Sequence, residues 1–240
     1  NENLEYHMDK FGYTNTNVIF KKGNIENLKD LSIESDIDIV ISNCVINLCK
    51  DKEKVIKGIF DILKNGGEFY FSDVYSSKRI PEALLNDPVL WGECLGGALY
   101  WNDFINMSKR CGFTDPRLVK SNVIDIKNKE LEEKLEDIKF YSATYRLFKL
   151  PNILEPDCED YGQAVIYKGT IPYNKYSWDL DTHHTMITGK IFPVCGNTWN
   201  MLKHSRFKEH FEFIGDFKKH FGIFNGCGKQ IPFTNNSSCC

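Results

Sequence analysis

The segment 36–48 constrains the fold of this chain more than any other. Residues 37–41 are apolar except for Asp38, and most of them are β-branched. A short run of this kind is typical of a strand buried on both faces of a parallel sheet. The run ends abruptly at Ser42, Asn43 and Cys44. The sequence therefore predicts a buried strand whose end presents a thiol.

The position of Cys44 favours a functional role. In open α/β sheets, ligands bind beyond the carboxyl ends of the strands. Asn43 suits a turn there, because asparagine tolerates unusual backbone angles. We expect the apolar residues Val45, Ile46 and Leu48 to pack beneath the thiol. The ordinary alternative is that Cys44 is a small buried residue, as free cysteines often are.

The next segment predicts a crossover between parallel strands. Asp51 suits a helix N-cap, and apolar residues then recur at helical spacing as far as residue 63. The sequence 65–67, Asn-Gly-Gly, is expected to end that helix. Residues 68–72 predict a second strand, which ends at Asp73. Strand, helix and strand in this order form the repeating unit of an α/β sheet.

Periodicity divides the rest of the chain into two regions. We predict a first domain at 1–150 and a second, α+β domain at 151–240, because prolines and turn residues become frequent after Pro151. In the first domain, helices are predicted at 4–10, 81–85, 103–111 and 131–138, and strands at 17–20, 117–126 and 142–150. In the second, a strand is predicted at 163–168 and a helix at 198–203.

Composition excludes several classes of function. The 240 residues carry a formal net charge of -3, which provides no electrostatic basis for binding nucleic acid or an acidic membrane. No apolar run is long enough to span a bilayer. The chain begins at Asn1 rather than methionine, so we expect it to start inside a longer protein.

The cysteine content indicates a reduced protein. Nine cysteines occur with no repeated Cys-x-x-Cys spacing, which argues against a zinc ribbon or a ferredoxin. An odd number in a chain of this size also argues against a secreted disulfide framework. The expected location is the cytoplasm, where some of these thiols can serve as ligands for soft ions.

Several motifs in the chain resemble the arsenite methyltransferases. The first contains Cys44, the second runs from Gly66 to Tyr75, and the third contains Cys94 followed by Leu95, Gly96, Gly97 and Ala98. Both cysteine motifs together are specific, since other methyltransferases have no need of them. The resemblance covers nearly the whole chain in order; its quoted segments are 42–48, 66–75, 91–100, 112–113, 116–119, 142–149, 159–163, 169–172, 183–184, 188–189 and 195–198.

The resemblance implies the fold and the substrate-binding residues. It implies a class I methyltransferase sheet, Rossmann-like, that uses S-adenosylmethionine and is incomplete at its N-terminal side. Cys44 and Cys94 correspond to two arsenic-binding cysteines of the family and are the implied catalytic residues. Trivalent arsenic holds three ligands and a lone pair, and this lone pair would attack the methyl group without help from a general base.

The resemblance also implies the cofactor-binding residues. Ile25 and Glu26 match the segment that receives the adenine, with the carboxylate accepting from the exocyclic amine. Asn43, Cys44 and Val45 match the segment beside the methionine end of the cofactor. The family's glycine-rich loop and its further arsenic-binding cysteines are expected upstream of Asn1. The implied partners are arsenite or its thiol conjugates and a reductant such as glutathione or thioredoxin, and the implied state is a monomer.

Two alternatives remain open from the sequence. A methyltransferase for another small molecule would explain the crossover unit but not the paired cysteine motifs. A fragment or pseudoenzyme that binds metalloid or thiols without catalysis would explain the absence of the glycine-rich loop. Asp73 is expected to shape the loop after its strand rather than to perform chemistry.

The other cysteines and the histidines receive no catalytic role from the sequence. Cys49 and Cys111 are expected to be buried. His183 and His184 could bind a metal together with Cys195 and Cys227, although structural roles are the simpler interpretation without ligand spacing. No step is assigned to Cys158 and Cys195, although both lie in segments that resemble the family. Cys239 and Cys240 are expected to form a C-terminal tail, which could relay arsenic or exchange thiols with a reductant.

Overall fold

The computed structural model describes residues 3–33, 36–85 and 87–227, and all structural statements concern these residues. The helices are α1 (Leu4–Phe11), α2 (Lys52–Ile62), α3 (Glu82–Leu85), α4 (Pro88–Gly92), α5 (Trp101–Arg110), α6 (Lys129–Leu135) and α7 (Gly196–Lys203), with 3₁₀ turns at Ile25–Leu31, Ile46–Leu48 and Lys208–His210. The strands are β1 (Ile37–Asn43), β2 (Leu63–Ser76), β3 (Leu99–Tyr100), β4 (Arg117–Ile124), β5 (Phe140–Phe148), β6 (Glu159–Asp160), β7 (Ala164–Tyr167), β8 (Ser177–Asp179), β9 (Thr185–Ile187), β10 (Ile191–Pro193), β11 (Phe211–Ile214) and β12 (Gly222–Ile223). Among the helices described, none combines the length and the apolar character needed to cross a bilayer.

The main sheet has the strand order β1-β2-β5-β4, and β3 pairs with the end of β2. Strands β1 and β2 run parallel with α2 between them, which confirms the predicted crossover unit. Strand β5 runs antiparallel to both β2 and β4, so the sheet is mixed. The core beneath it includes Ile56, Phe69, Phe104, Phe113 and Leu147, each at most 1% exposed.

Helix α2 forms for the reasons predicted. The side chain of Asp51 accepts a hydrogen bond from the backbone N–H of Lys54, which satisfies one of the unpaired donors of the first turn. Val55, Ile56 and Ile59 form its buried face. The helix therefore carries the chain from the end of β1 back to the start of β2.

The boundary after α2 differs from the prediction. The helix ends at Ile62 and β2 begins at once at Leu63, before the expected start at residue 68. Gly66 does adopt a left-handed conformation, with φ +84°, but its N–H donates to the carbonyl of Lys149 on the neighbouring segment. A Cβ at Gly66 would lie 2.2 Å from the carbonyl oxygen of His204, so glycine is needed for backbone packing here rather than for a helix cap.

Two expectations about burial and strand formation were wrong. Residues 17–20 form no strand; they lack regular secondary structure, and Ile19 is 81% exposed. Strand β1 is not buried on both faces, since Ile41 is 78% exposed. Val40, on the opposite face, packs against the core, so β1 buries one face only. Within the described chain β1 pairs only with β2 and is an edge strand.

The expected packing beneath Cys44 is correct only in part. Ile46 is 3% exposed and joins the core, whereas Val45 and Leu48 are 43% and 44% exposed. A single 3₁₀ turn at Ile46–Leu48 directs these side chains to different sides. One of the three residues therefore fixes this loop to the core.

The region after residue 150 contains the predicted strand and helix as β7 and α7. Strand β7 pairs antiparallel with β10 and β11, and β8 and β9 form a hairpin. Their shared core includes Tyr167, Leu180, Met186 and Phe207. The division of the chain into domains at residue 150 stays a prediction.

A buried charge cluster joins this region to the main sheet. Glu68 of β2 is 1% exposed and pairs with Arg146 of β5 at 2.5 Å and with Arg206 at 3.0 Å. Arg146 also donates to the carbonyl of Leu180 and lies over the ring of Trp178. These contacts tie β2 and β5 to the C-terminal region.

Candidate active site

The thiol of Cys44 follows directly after β1. Its N–H donates to the carbonyl of Ser72 at 2.9 Å, which continues the pairing of β1 with β2 by one residue. Its backbone is left-handed, with φ +52°, a conformation that costs a side-chain-bearing residue free energy. The left-handed turn ends the strand and leaves Cys44 exposed.

The thiol of Cys94 follows α4, which Asp87 caps through the backbone N–H groups of Val89 and Leu90. Cys94 also has a left-handed backbone, with φ +59°, and its N–H donates to the carbonyl of Trp91. The side chain is half-buried. Both predicted arsenic ligands therefore lie on tight, left-handed turns that follow regular elements.

Close backbone contact holds the segment of Cys94 against that of Cys44. A Cβ at Gly97 would lie 2.0 Å from the carbonyl oxygen of Asn47, so only glycine fits at this approach. Asn47 in turn donates its N–H to the carboxylate of Asp73 at 3.1 Å and its side-chain amide to the carbonyl of Val74 at 2.7 Å. Asp73 thus fixes the loop after β1. The expectation that it shapes the loop after its own strand was wrong, because β2 continues to Ser76.

Burial and charge raise the pKa of both thiols. Burial first, and then the carboxylate of Asp73, raises the pKa of Cys44. Burial, the neighbouring Cys44 and Asp73 raise the pKa of Cys94, so the two thiols lie within electrostatic reach of each other. Burial also raises the pKa of Asp73, partly offset by the backbone N–H groups of Val74 and Asn47. At neutral pH both cysteines are therefore mainly protonated before a ligand binds.

The predicted cofactor residues lie around the same end of β1. Ile25, Asn43 and Val45 line a cavity of about 810 Å³, whose opposite wall includes Ile59 of α2 and Phe71 of β2. The structure thus brings these three residues together, next to the turn that holds the thiol of Cys44.

Glu26 follows Ile25 in the 3₁₀ turn and lines a neighbouring cavity rather than this one. Its Oε1 accepts from the backbone N–H groups of Lys50 and Asp51, at 2.8 and 3.2 Å. These bonds fix the carboxylate to the start of α2. The other oxygen, Oε2, has no hydrogen-bond partner among the residues described.

Sequence reasoning found only part of a second thiol cluster, since it grouped Cys195 and Cys227 with the histidines and left out Cys158. The sulfur atoms of Cys158, Cys195 and Cys227 all lie within 4.8 Å of one another. Cys195 is 1% exposed, and the other two are partly buried. More than thirty residues separate each of these cysteines from the next, so no short spacing indicated the cluster. Cys239 and Cys240 lie outside the described residues.

A buried polar network surrounds Cys195. Arg117 lies 3.8 Å from its sulfur and pairs with Asp181 at 3.1 Å, and Thr198 approaches the same sulfur at 3.3 Å. The hydrogen bond from Cys158, together with Arg117 and Thr198, lowers the pKa of Cys195 to about 5, against the effect of burial. Cys195 is therefore the thiolate-forming member of the cluster.

The two histidines are not part of this thiol group. His184 contacts Asp181 through Nδ1 at 2.7 Å and Thr198 through Nε2 at 3.4 Å. His183 donates its backbone N–H to Asp181. The structural interpretation therefore holds for both. Cys49 and Cys111 are buried, as expected, at 8% and 3% exposure.

Comparison with known proteins identifies the class of protein first. Residues 2–112 match the family described as methyltransferase domain, and residues 161–235 match the arsenite methyltransferase C-terminal domain. The chain is therefore an S-adenosylmethionine-dependent methyltransferase of class I, which confirms the expected fold.

Individual relatives identify the family. The chain is 54% identical to the arsenite methyltransferase of Aquipseudomonas alcaligenes over 100% of its own length and 70% of the relative's. It is 47% identical to that of Mus musculus over 88% of the chain, but it spans only 55% of that protein. The crystal structure of an arsenic(III) S-adenosylmethionine methyltransferase from Chlamydomonas reinhardtii superimposes with a TM-score of 0.88 at 48% identity, covering 92% of this chain and 73% of the other. The chain belongs to the arsenite methyltransferase family.

Proposed function

We propose that this chain forms part of an enzyme that transfers the methyl group of S-adenosylmethionine to trivalent arsenic held by Cys44 and Cys94. The observation that carries the proposal is the pair of thiols on left-handed turns, held together by the contact of Gly97 with Asn47. A buried structural cysteine has no need of a strained, exposed position. Thiolates are the ligands that a soft metalloid prefers.

In this proposal, Cys44 and Cys94 bind arsenite by ligand exchange. Each thiol proton combines with one hydroxide of arsenous acid, water leaves, and an arsenic–sulfur bond forms in its place. The protonated state of both cysteines, favoured by burial and by Asp73, is therefore suited to binding. A third thiolate comes from a cysteine outside this chain or from a small thiol. The arsenic lone pair would then form a bond to the methyl carbon while the sulfonium sulfur–carbon bond breaks and S-adenosylhomocysteine leaves, so no general base would be required.

The residues around the cavity fit the adenosyl part of S-adenosylmethionine. Ile25 and Val45 offer an apolar wall for the base, and Oε2 of Glu26 is available to accept from an exocyclic amine. Asn43 lines the cavity between these groups and the thiol of Cys44. The cofactor supplies the electrophilic methyl group, and the protein supplies orientation.

The free cysteines indicate the compartment and the kind of reductant that this activity requires. All seven cysteines within the described residues are free, which suits a reducing compartment such as the cytoplasm. We place a thiol reductant of the glutathione or thioredoxin type among the partners, since it would keep Cys44 and Cys94 reduced between turnovers. The proposed state of the enzyme is a monomer.

The test uses the full-length enzyme that contains this chain, incubated with arsenite and S-adenosylmethionine. We expect methylated arsenic and S-adenosylhomocysteine to form together, and both to be lost in Cys44→Ser and in Cys94→Ser. Cys111→Ser is the matched control, because this thiol is buried in the core and its hydrogen bond goes to the backbone carbonyl of Glu53. Normal methylation in either active-site variant would overturn the assignment, as would an equal loss in the control.

A further inference from the structure

We propose that Cys158, Cys195 and Cys227 form a second binding site for trivalent arsenic, separate from Cys44 and Cys94. The three sulfur atoms lie within 4.8 Å of one another and come from three different parts of the C-terminal region. Cys158 precedes β6, Cys195 caps α7, and Cys227 follows β12. The fold therefore assembles a three-thiol donor set from residues that are distant in sequence.

The number of donors favours arsenic over zinc. Structural zinc sites have four tetrahedral ligands, usually from cysteine and histidine. In the chain as described, no fourth cysteine, histidine or carboxylate completes this group. His184 directs both ring nitrogens to other partners. Trivalent arsenic needs only three sulfur ligands, because its lone pair occupies the fourth position.

The charge around the cluster prepares one sulfur to bond to arsenic. The guanidinium of Arg117 is 3.8 Å from the sulfur of Cys195 and is 7% exposed. A positive charge at this distance favours the thiolate form of Cys195, which is the form that binds a soft metalloid. Asp115 and Asp181 pair with the same guanidinium.

The cluster is accessible to a small solute. Cys158 and Cys227 line a cavity of about 580 Å³, together with Arg117, His183 and Phe224. Arsenous acid is small and uncharged at neutral pH, so it can enter such a cavity without loss of a counterion. The thiol protons of Cys158 and Cys227 and one proton from solvent then leave with three hydroxides as water, because Cys195 is already a thiolate. Three arsenic–sulfur bonds form, and neither arsenic nor sulfur is oxidised or reduced.

The test measures arsenic bound per chain without reference to methylation. The starting protein is the chain carrying Cys44→Ser and Cys94→Ser, dialysed against sodium arsenite under reducing conditions. We expect about one arsenic per chain in this protein. Adding Cys158→Ser or Cys227→Ser should lower the amount of bound arsenic at least about tenfold. Loss of a residue that only hydrogen-bonds to a metal ligand already costs about this much in affinity, and here a ligand itself is lost.

Two control variants of the same starting protein test whether the bound arsenic lies at this cluster. Cys111→Ser, and the double change Cys239→Ser with Cys240→Ser, should each leave one arsenic bound. Loss of binding in the tail variant with retention in Cys158→Ser would overturn the proposal, and so would no binding in the starting protein. Because both cluster variants could fail to fold, X-ray absorption of the arsenic-loaded starting protein provides a second measurement.

The absorption spectrum separates the competing ligand sets. Three sulfur neighbours around arsenic support the proposal, whereas two sulfurs and an oxygen contradict it. The same protein incubated with zinc alone should bind it less than stoichiometrically. Stoichiometric zinc that arsenite fails to displace would identify a zinc site and overturn the proposal. Failure of methyl transfer in the full-length enzyme would leave each of these results unchanged.

Discussion

The carboxylate of Asp73 accepts the backbone N–H of Asn47 across 3.1 Å, in the buried space between the turns that carry Cys44 and Cys94. This bond fixes the loop after β1 to the end of β2. The contact of Gly97 with the carbonyl of Asn47 then fixes the segment of Cys94 to the same loop. The relative position of the two thiols therefore depends on backbone contacts rather than on their own side chains.

Replacing Gly97 with alanine should separate the two thiols. Its Cβ would lie 2.0 Å from the carbonyl oxygen of Asn47, so the segment of Cys94 must move. We expect methylation by the full-length enzyme to fall about 100-fold, since a displacement of about 1 Å can cost this much. Gly92→Ala is the matched control in the same segment, because nothing lies within 4 Å of its Cβ position. Equal activity of the two variants would contradict this account.

Replacing Asp73 with asparagine should make the thiols more reactive. The negative charge of Asp73 opposes ionisation of Cys44 and Cys94 and so raises their pKa. Removing that charge lowers both pKa values, so the pH profile of Cys44 alkylation by iodoacetamide should move to lower pH. At neutral pH the rate should rise. An unchanged or upward shift, or the same shift in the surface variant Asp137→Asn, would contradict the assignment.

Glu68→Gln should destabilise the fold strongly. The change leaves Arg146, which is 6% exposed, without its carboxylate partner. Removing one partner of a buried ion pair costs about 3–5 kcal/mol, because the other charge stays buried. Urea unfolding measures the free energy. Asp137→Asn, which breaks an exposed pair with Lys78, should change the free energy of unfolding far less, because water screens this pair. Comparable losses in both variants would count against a special role for Glu68.

Stability in acid should depend on Asp181. Burial opposes its ionisation, but His184 and Arg117 hold its pKa well below the usual range. A carboxyl group with a lowered pKa stabilises the fold above its unfolded value of about 3.9, and this contribution is lost as the pH falls further. The difference in unfolding free energy between wild type and Asp181→Asn should therefore shrink below about pH 4. A difference that stays constant from pH 7 to pH 3 would contradict this origin.

Local sequence signals predicted the elements that carry the first site. The apolar run at residues 37–41, the cap at Asp51 and the glycines after Cys94 all act over a few residues, and their effects are visible in the sequence. The strand predicted at residues 17–20 was wrong because β propensity alone does not supply a pairing partner. The exposure of Ile41 could not be predicted either, since it depends on which elements pack over that face of β1.

The second thiol cluster and its neighbours required the fold. Cys158, Cys195 and Cys227 meet only because β6 pairs with β12 and lies beside α7. Arg117 reaches Cys195 from β4, on a different sheet. Contacts between residues this distant in sequence have no local signature. The sequence offered Cys195 and Cys227 as possible co-ligands of the histidines, but it gave no reason to add Cys158 to them.

The left-handed backbones of Cys44 and Cys94 have a consequence for the stability of the whole chain. Glycine would adopt φ +52° and +59° without the penalty of about 1–2 kcal/mol that a side chain incurs there. The free energy of unfolding would therefore be larger with glycine at both positions, if the two thiols were not needed. The protein is therefore less stable than it could be at the two residues proposed to hold its substrate, because glycine has no thiol to bind arsenic.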